Sequence, residues 1–454
     1  MKLGLGVVVL FCGLLIRISD VGVANWLSLP SIDEAKELLN STHHHPDWVQ
    51  VPTPSKTVLA SVTFPDRADK AAVIVITAPD QKLSDRLRAI ADQMADDGFI
   101  AVVPDALSTE MADVDAVRDY VIKHPAANGR HATVVVSSDD LRIDLAALNK
   151  QTGNDPSQVM RMPRHAHMGH ARFEPELAGP AQPPRPPQQR GEPACAIGSL
   201  TCKRDDLVAG VSTAKSTLNH SPIRAEWVDI PVGTAKLHTR ITYPQGAAKA
   251  PVVILMTGAG GLNDWMRSAA DQLAREGFIG VAPDIHSGFG PNGGNWESFD
   301  GLQDEAIKAN AKIPRDEVMR RFKAAREYVL KLPQANGKSA SIGFCAGGGN
   351  SFAFAGEVPE LNAAVVFYGA PPNEALMAKI NAPVLGLYGQ IDARIVEAVE
   401  PTAAAMKKLG KSYEPHIYKD ATHAFLEYQN LGANGEATAD AWPRAMAFLK
   451  QHTR

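Results

Sequence analysis

The chain has 454 residues, enough for two or three domains, and 45% hydrophobic with 21% charged residues is the composition of an ordinary globular protein. Lys+Arg 46 against Asp+Glu 50 leaves a formal net charge of -4, which argues against a surface built for polyanions. Nucleic acid is therefore not an expected partner.

The first residues, MKLGLGVVVLFCGLLIRISDVGVAN, place Lys2 before an apolar run of 14 residues, Leu3 to Ile16, and small residues at Gly22, Val23 and Ala24. That is the layout of an export signal, and the run falls short of the ~20 residues a membrane span needs. Residues 1–24 are expected to be cleaved, with an uncleaved anchor as the lesser alternative. The mature protein is then expected to be periplasmic or secreted, with no membrane attachment. Cys12 lies in this segment behind Phe11, which is too bulky for a lipoprotein cleavage site. Cys195, Cys202 and Cys345 remain after cleavage. In an oxidising compartment an odd count leaves at least one thiol free; Cys195 and Cys202 are close enough in sequence to pair.

The chain next contains one pattern twice. At a constant offset of 179, residues 48–105 match 227–284 at 22 of 58 positions, ending in GFIAVVPD and GFIGVAPD. Agreement returns at an offset of 208, where AVRDYVIKHPAANG (116–129) matches AAREYVLKLPQANG (324–337) at 9 of 14. The second copy therefore carries 29 extra residues, roughly Ile285 to Asp316, directly after a predicted strand.

In each copy, short apolar runs (AVIVIT, VVILM, FIGVAP) alternate with amphipathic stretches such as DWMRSAADQLAREG. This predicts an α/β fold with a doubly wound, mostly parallel sheet, whose ligands gather at the carboxyl ends of the strands. The first copy, 25–150, stops before the later strands and is expected to be non-catalytic. Ser137 replaces the second copy's Cys345, Val135 its Gly343, and Asp139 and Asp140 its later glycines. A half-sheet leaves an unpaired edge, so this copy is expected to pack on the second copy or on another subunit. Residues 151–208, rich in Pro, Gln and Arg, read as a linker, and 209–454 as the catalytic domain.

The chemistry concentrates at SIGFCAGGGNSF. A strand ends at Phe344, a helix begins after Cys345, and G-x-C-x-G-G is the cysteine form of a nucleophile elbow. A thiol at a helix N-terminus is favoured as thiolate. Two later strands lead to Asp392 in GQIDARI and His423 in ATHAF, so Cys, Asp, His stand in the chain order of an α/β-hydrolase triad. His423 is the expected base and Asp392 the group that orients it, with Asp420 competing for that role. The backbone N–H groups of Ala346 and Ala259 are the expected oxyanion donors.

The second copy, about 225–454, resembles the dienelactone hydrolase family in GFCAGGG, VVFYGAPP, GQIDARI, ATHAF and GGLNDWMRSAADQLAREGFIGVAPD. The resemblance implies hydrolysis of a small-molecule carboxylic ester or lactone through a thiol ester, with no metal or organic cofactor. Well-studied members carry a glutamate after the third strand and two arginines that hold a substrate carboxylate. By gapless matching these positions fall at Gly258, Gly288 and Glu427, which argues against dienelactone itself as substrate. The insertion, with His286 and Trp296, is expected to shape a different pocket. The alternatives are a non-catalytic binding or scaffold protein on a decayed hydrolase fold, and a metal-handling protein centred on His165, His167, Met168 and His170. That cluster, like the histidines at 43–45, reads more simply as solvated residues, and no metal site is expected.

Overall fold

The computed structural model describes residues 26–42, 44, 46–80, 82–137, 142–159, 206–246 and 249–454. The expected export segment, Cys12, Cys195, Cys202, Asp139, Asp140 and the 165–170 cluster lie outside the described residues.

The N-terminal unit runs β1 (Trp26–Ser28), α1 (Ile32–Ser41), β2 (Asp47–Pro52), β3 (Thr57–Thr63), β4 (Ala71–Thr77), α2 (Asp85–Asp96), β5 (Ile100–Pro104), α3 (Met111–Ile122), β6 (Ala127–Val135), β7 (Arg142–Asp144) and α4 (Leu145–Thr152). The C-terminal unit begins with α5 (Val211–Asn219), β8 (Arg224–Val232), β9 (Ala235–Tyr243), β10 (Ala250–Met256), α6 (Asp264–Arg275) and β11 (Ile279–Pro283). After the insertion helix α7 (Gln303–Asn310) come α8 (Arg315–Leu330), β12 (Ala335–Phe344), α9 (Ala346–Glu357), β13 (Ala363–Phe367), α10 (Glu374–Met377) and β14 (Val384–Gly389). The chain closes with α11 (Ala393–Val396), α12 (Val399–Lys408), β15 (Tyr413–Tyr418) and α13 (Asn434–Thr453).

The larger sheet has the order β15-β14-β13-β12-β10-β11-β9-β8, and the smaller β2-β3-β5-β4-β6. The second order is that of the first five strands of the larger sheet, so the N-terminal unit has a truncated version of that sheet. The likeness extends to detail. Ala71 pairs Ala127 and Val73 pairs His131 across one register shift; Ala250 pairs Ala335 and Val252 pairs Ser339 across another at the same place. Ser84 and Asn263 cap α2 and α6 by accepting from the N–H three residues on, and Gly98 and Gly277, at φ 91 and 95, turn the chain out of those helices.

The reason these segments are strands is burial on both faces. Every residue of β4 and all but one of β10 are buried, as parallel strands covered by helices must be. Each sheet carries a core on either face.

The two units are packed against each other at two places. Arg88 on α2, 2% exposed, donates to both oxygens of Asp304 on α7 at 2.6 and 2.7 Å, and Lys308 reaches Asp85 at 2.8 Å. At the second place the loop after β14 enters the N-terminal unit. Ala393 joins the apolar cluster of Val51, Val62 and Val117, and Arg67 forms a backbone bridge with Asp392. The expected linker is shorter than read from sequence, because α4 runs on to Thr152 and Val208 is buried in the C-terminal core.

Candidate active site

Cys345 has φ 55 and ψ -120, a backbone conformation that only a tightly held turn imposes on a non-glycine residue. The glycines around it are forced by close approach of backbone. A Cβ on Gly343 would lie 1.9 Å from the Gly347 carbonyl oxygen, and one on Gly347 would lie 2.0 Å from that of Met256. β12 thus delivers the thiol to the carboxyl edge of the sheet, and α9 starts at once, with the Ala346 N–H in a first turn that has no i-4 carbonyl to bond.

His423 follows β15, and its Nδ1 stands 2.5 Å from Asp392 Oδ2. Its ring also makes a hydrogen-bonding contact with the Cys345 thiol. Burial alone would depress the imidazole pKa; Asp392 and Cys345 more than reverse this, and it is raised to about 10. The structure therefore brings Cys345, His423 and Asp392 together, with Asp392 5% exposed. Asp420 stands apart: it is exposed, its N–H bonded to Gln390, and Lys419 is its ion-pair partner at 4.0 Å.

The loop after β10 arrives from the other side. A Cβ built on Gly258 would lie 3.6 Å from Cys345 Cβ, so position 258 does face the nucleophile, and glycine leaves that approach bare. Ala259 follows in the same turn. Trp296 donates its indole N–H to Gly260 at 2.8 Å, which pins this loop from outside.

A cavity of about 280 Å³ opens on Cys345, lined also by Asp47, Arg315, Asn350, Tyr368 and Arg394. The expectation that His286 and Trp296 shape the pocket is corrected: neither lines it. His286 is fully buried and bonds the Ala306 carbonyl, because the insertion folds down as a packed layer; only Arg315, at its end, reaches the cavity. The loss of basic residues at the matched positions does not leave the site without cations either, since Arg315 and Arg394 line it. Glu427 is buried, and burial raises its carboxyl to about 7, with His423 opposing. A groove of about 780 Å³ between Pro231 and α8 contains none of the triad.

Arg394, Tyr368 and Asp47 are among the cavity residues that escaped the sequence reading, as did Arg315 and Asn350. Arg394 lies within GQIDARI, two positions after Asp392, where its side chain could have been noticed. Tyr368, fully buried beside His423 with ring centroids 5.0 Å apart, has a hydroxyl with no hydrogen-bond partner among the described residues; burial, Glu427 and Cys345 push its pKa well up, so it stays a donor. Asp47 comes from the other unit, and no signal in the sequence joins it to this site. His44, expected to be solvated, is buried instead and bonds Asp92 at 3.0 Å. The carboxylates of Asp85, Asp304 and Glu305 converge as metal ligands could, but Arg88 and Lys308 already occupy them.

Residues 237–453 match the dienelactone hydrolase family. A protein of Saccharolobus solfataricus named "Putative carboxymethylenebutenolidase" is 31% identical over 247 residues, covering 48% of this chain and 95% of that protein. The chain belongs to the dienelactone hydrolase family. A protein of Escherichia coli K12 with the same name is 27% identical over 272 residues, or 56% of this chain and 97% of its own. Among solved structures, a dienelactone hydrolase from Anabaena variabilis is 20% identical, with a TM-score of 0.41, covering 52% of this chain and 100% of that one. The family match spans the C-terminal unit, from β9 into α13, and takes in Cys345, Asp392 and His423.

Proposed function

We propose that the C-terminal unit of this family member hydrolyses a carboxylic ester or lactone with Cys345 as nucleophile, His423 as base and Asp392 as the residue that holds the imidazole. His423 takes the thiol proton, and the sulfur attacks the carbonyl carbon. The resulting oxyanion is received by the Ala346 N–H and, from the loop after β10, that of Ala259. Collapse breaks the bond to the alkoxide, which leaves with the proton from His423, and the acyl group stays on sulfur as a thiol ester. Water then gives a proton to His423, attacks the thiol ester and releases the acid, while the sulfur recovers its proton. Asp392 keeps Nδ1 as the donor to itself and so leaves Nε2 for the thiol.

The main support is the backbone of Cys345, held at positive φ between two glycines that no other residue could replace, beside an imidazole already paired to a buried carboxylate. A panel of aryl esters and lactones tests it. Wild type turns over part of the panel with an initial burst of alcohol, and Cys345→Ala turns over none; a mutant with wild-type rates would refute the thiol ester route. The leader at 1–24 adds the proposal of an exported enzyme, checked by finding the processed chain in the periplasmic or culture fraction.

A further inference from the structure

Arg394 is placed oddly for a residue beside a catalytic imidazole. Its Nη2 lies 3.2 and 3.4 Å from Nδ1 and Nε2 of His423. An arginine has only donors to offer, and Nδ1 is already engaged with Asp392. The contact is therefore a guanidinium laid against the ring, and its charge opposes the imidazolium that the reaction needs. Neither group can be screened by bulk water, since their side chains are 11% and 13% exposed.

Asp392 offsets part of that charge, 3.7 Å from Arg394 Nε, but the closer carboxylate comes from the other unit. Arg394 Nη1 donates to both oxygens of Asp47, at 2.8 and 2.9 Å, at the first residue of β2. Phe64, also in the N-terminal unit, lies under the guanidinium with its centroid 5.6 Å away, and the Arg67–Asp392 bridge fixes the backbone two residues earlier. Charged and titratable groups facing the imidazole are Asp392 and Arg394 on its acid loop, Cys345 at the elbow, Tyr368 after β13 and Glu427 downstream; Asp47 and His124 stand behind Arg394.

We infer that Asp47 is a positioning residue of the hydrolytic site: the truncated copy supplies the carboxylate that fixes Arg394 against His423 and removes the charge that would discourage protonation of the ring. The inference rests on the triad reading of the C-terminal unit. It gives the smaller unit a part in the reaction although Ser137 stands there in place of Cys345 and its sheet stops before the strands that carry the acid and the histidine.

The test compares full-length wild type, Asp47→Asn, Asp47→Glu and Cys345→Ala on one ester substrate, with melting temperatures recorded alongside. Asp47→Asn keeps the shape and removes the carboxylate that binds Arg394 most closely, leaving only Asp392, 3.7 Å from Nε, which already serves His423. The expected result is a fall in kcat of about tenfold or more at little-changed KM. The alkaline limb of kcat/KM, set by His423, moves to lower pH by about half a unit or more. Asp47→Glu restores the limb and most of kcat. An Asp47→Asn enzyme with wild-type kcat and limb overturns the inference, as does a fall in kcat shared equally by Asn and Glu with the limb unmoved, which marks mere packing. Full turnover by Cys345→Ala would sink the triad reading itself, an outcome that none of the Asp47 variants can imitate.

Discussion

Strands β6 and β12 occupy the same place in two sheets built to the same order and register, yet they end differently. In the larger sheet β12 has neighbours on both sides, and its last six residues are buried. In the smaller one β6 is an edge, and Val135, which stands where β12 has Gly343, is 54% exposed. What separates them is the element that follows. α9 must begin directly against β10, so close that Gly347 touches the Met256 carbonyl, and only glycines allow it. After β6 the next described element is the short strand β7, paired with β1, and the constraint disappears. The elbow's glycines are thus demanded by a helix packed on a neighbouring strand, and once that helix was absent a valine could stand where the turn needs none.

The comparison can be broken most severely at the thiol. Cys345→Ala is expected to lower kcat/KM by about 10⁴-fold or more, whereas Ser137→Ala leaves hydrolysis unchanged. Next in size is Gly343→Val, which writes the smaller unit's residue into the larger. With backbone oxygen at 1.9 Å from the new Cβ, it is expected to destabilise by about 3 kcal/mol or more, read from chemical denaturation.

A third difference concerns one buried charge. Asp271 in α6 is paired with Arg240 at 2.5 Å; the smaller unit has Ser61 at the position of that arginine, and its Asp92 in α2 is paired with His44 instead. Burial opposes the charge on His44, but Asp92 and Asp66 raise its pKa to about 9. A raised folded-state pKa gives stability that is full below the unfolded value near 6.5 and is lost as pH rises through about 9. The N-terminal unit should therefore lose up to ~3 kcal/mol across that window, and His44→Gln should flatten the dependence. Thermal unfolding at pH 6 and pH 9.5 measures both.

Arg88 and Arg267 are likewise the same residue in the two copies. Both pair locally, with Asp264 and Asp85; Arg267 lies over Trp296, whereas Arg88 also crosses to Asp304. Arg88→Ala is expected to cost about 2 kcal/mol, since it strips a buried carboxylate of its main partner. Smallest of all, Val135→Gly should change stability by no more than about 1 kcal/mol, because Val135 is 54% exposed.

Much of this was legible in the sequence. The offsets of 179 and 208 located both sheets, and the elbow, acid and histidine could be read because each follows an apolar strand in a fixed order. The insertion could not be read. Its histidine and tryptophan suggested a pocket, but a side chain's direction depends on how the loop folds down, and these two face the core and Gly260. Asp47 was invisible for a deeper reason: its partner lies 347 positions away, and only the docking of the two units brings them together.

That docking has a consequence for heat. The backbone of Asp392 is strapped to Arg67, and the residue after it is seated in the smaller core. Warming that loosens the N-terminal unit withdraws the floor beneath the acid loop, so inactivation should follow the melting of the smaller unit even while the sheet that carries the thiol is still intact.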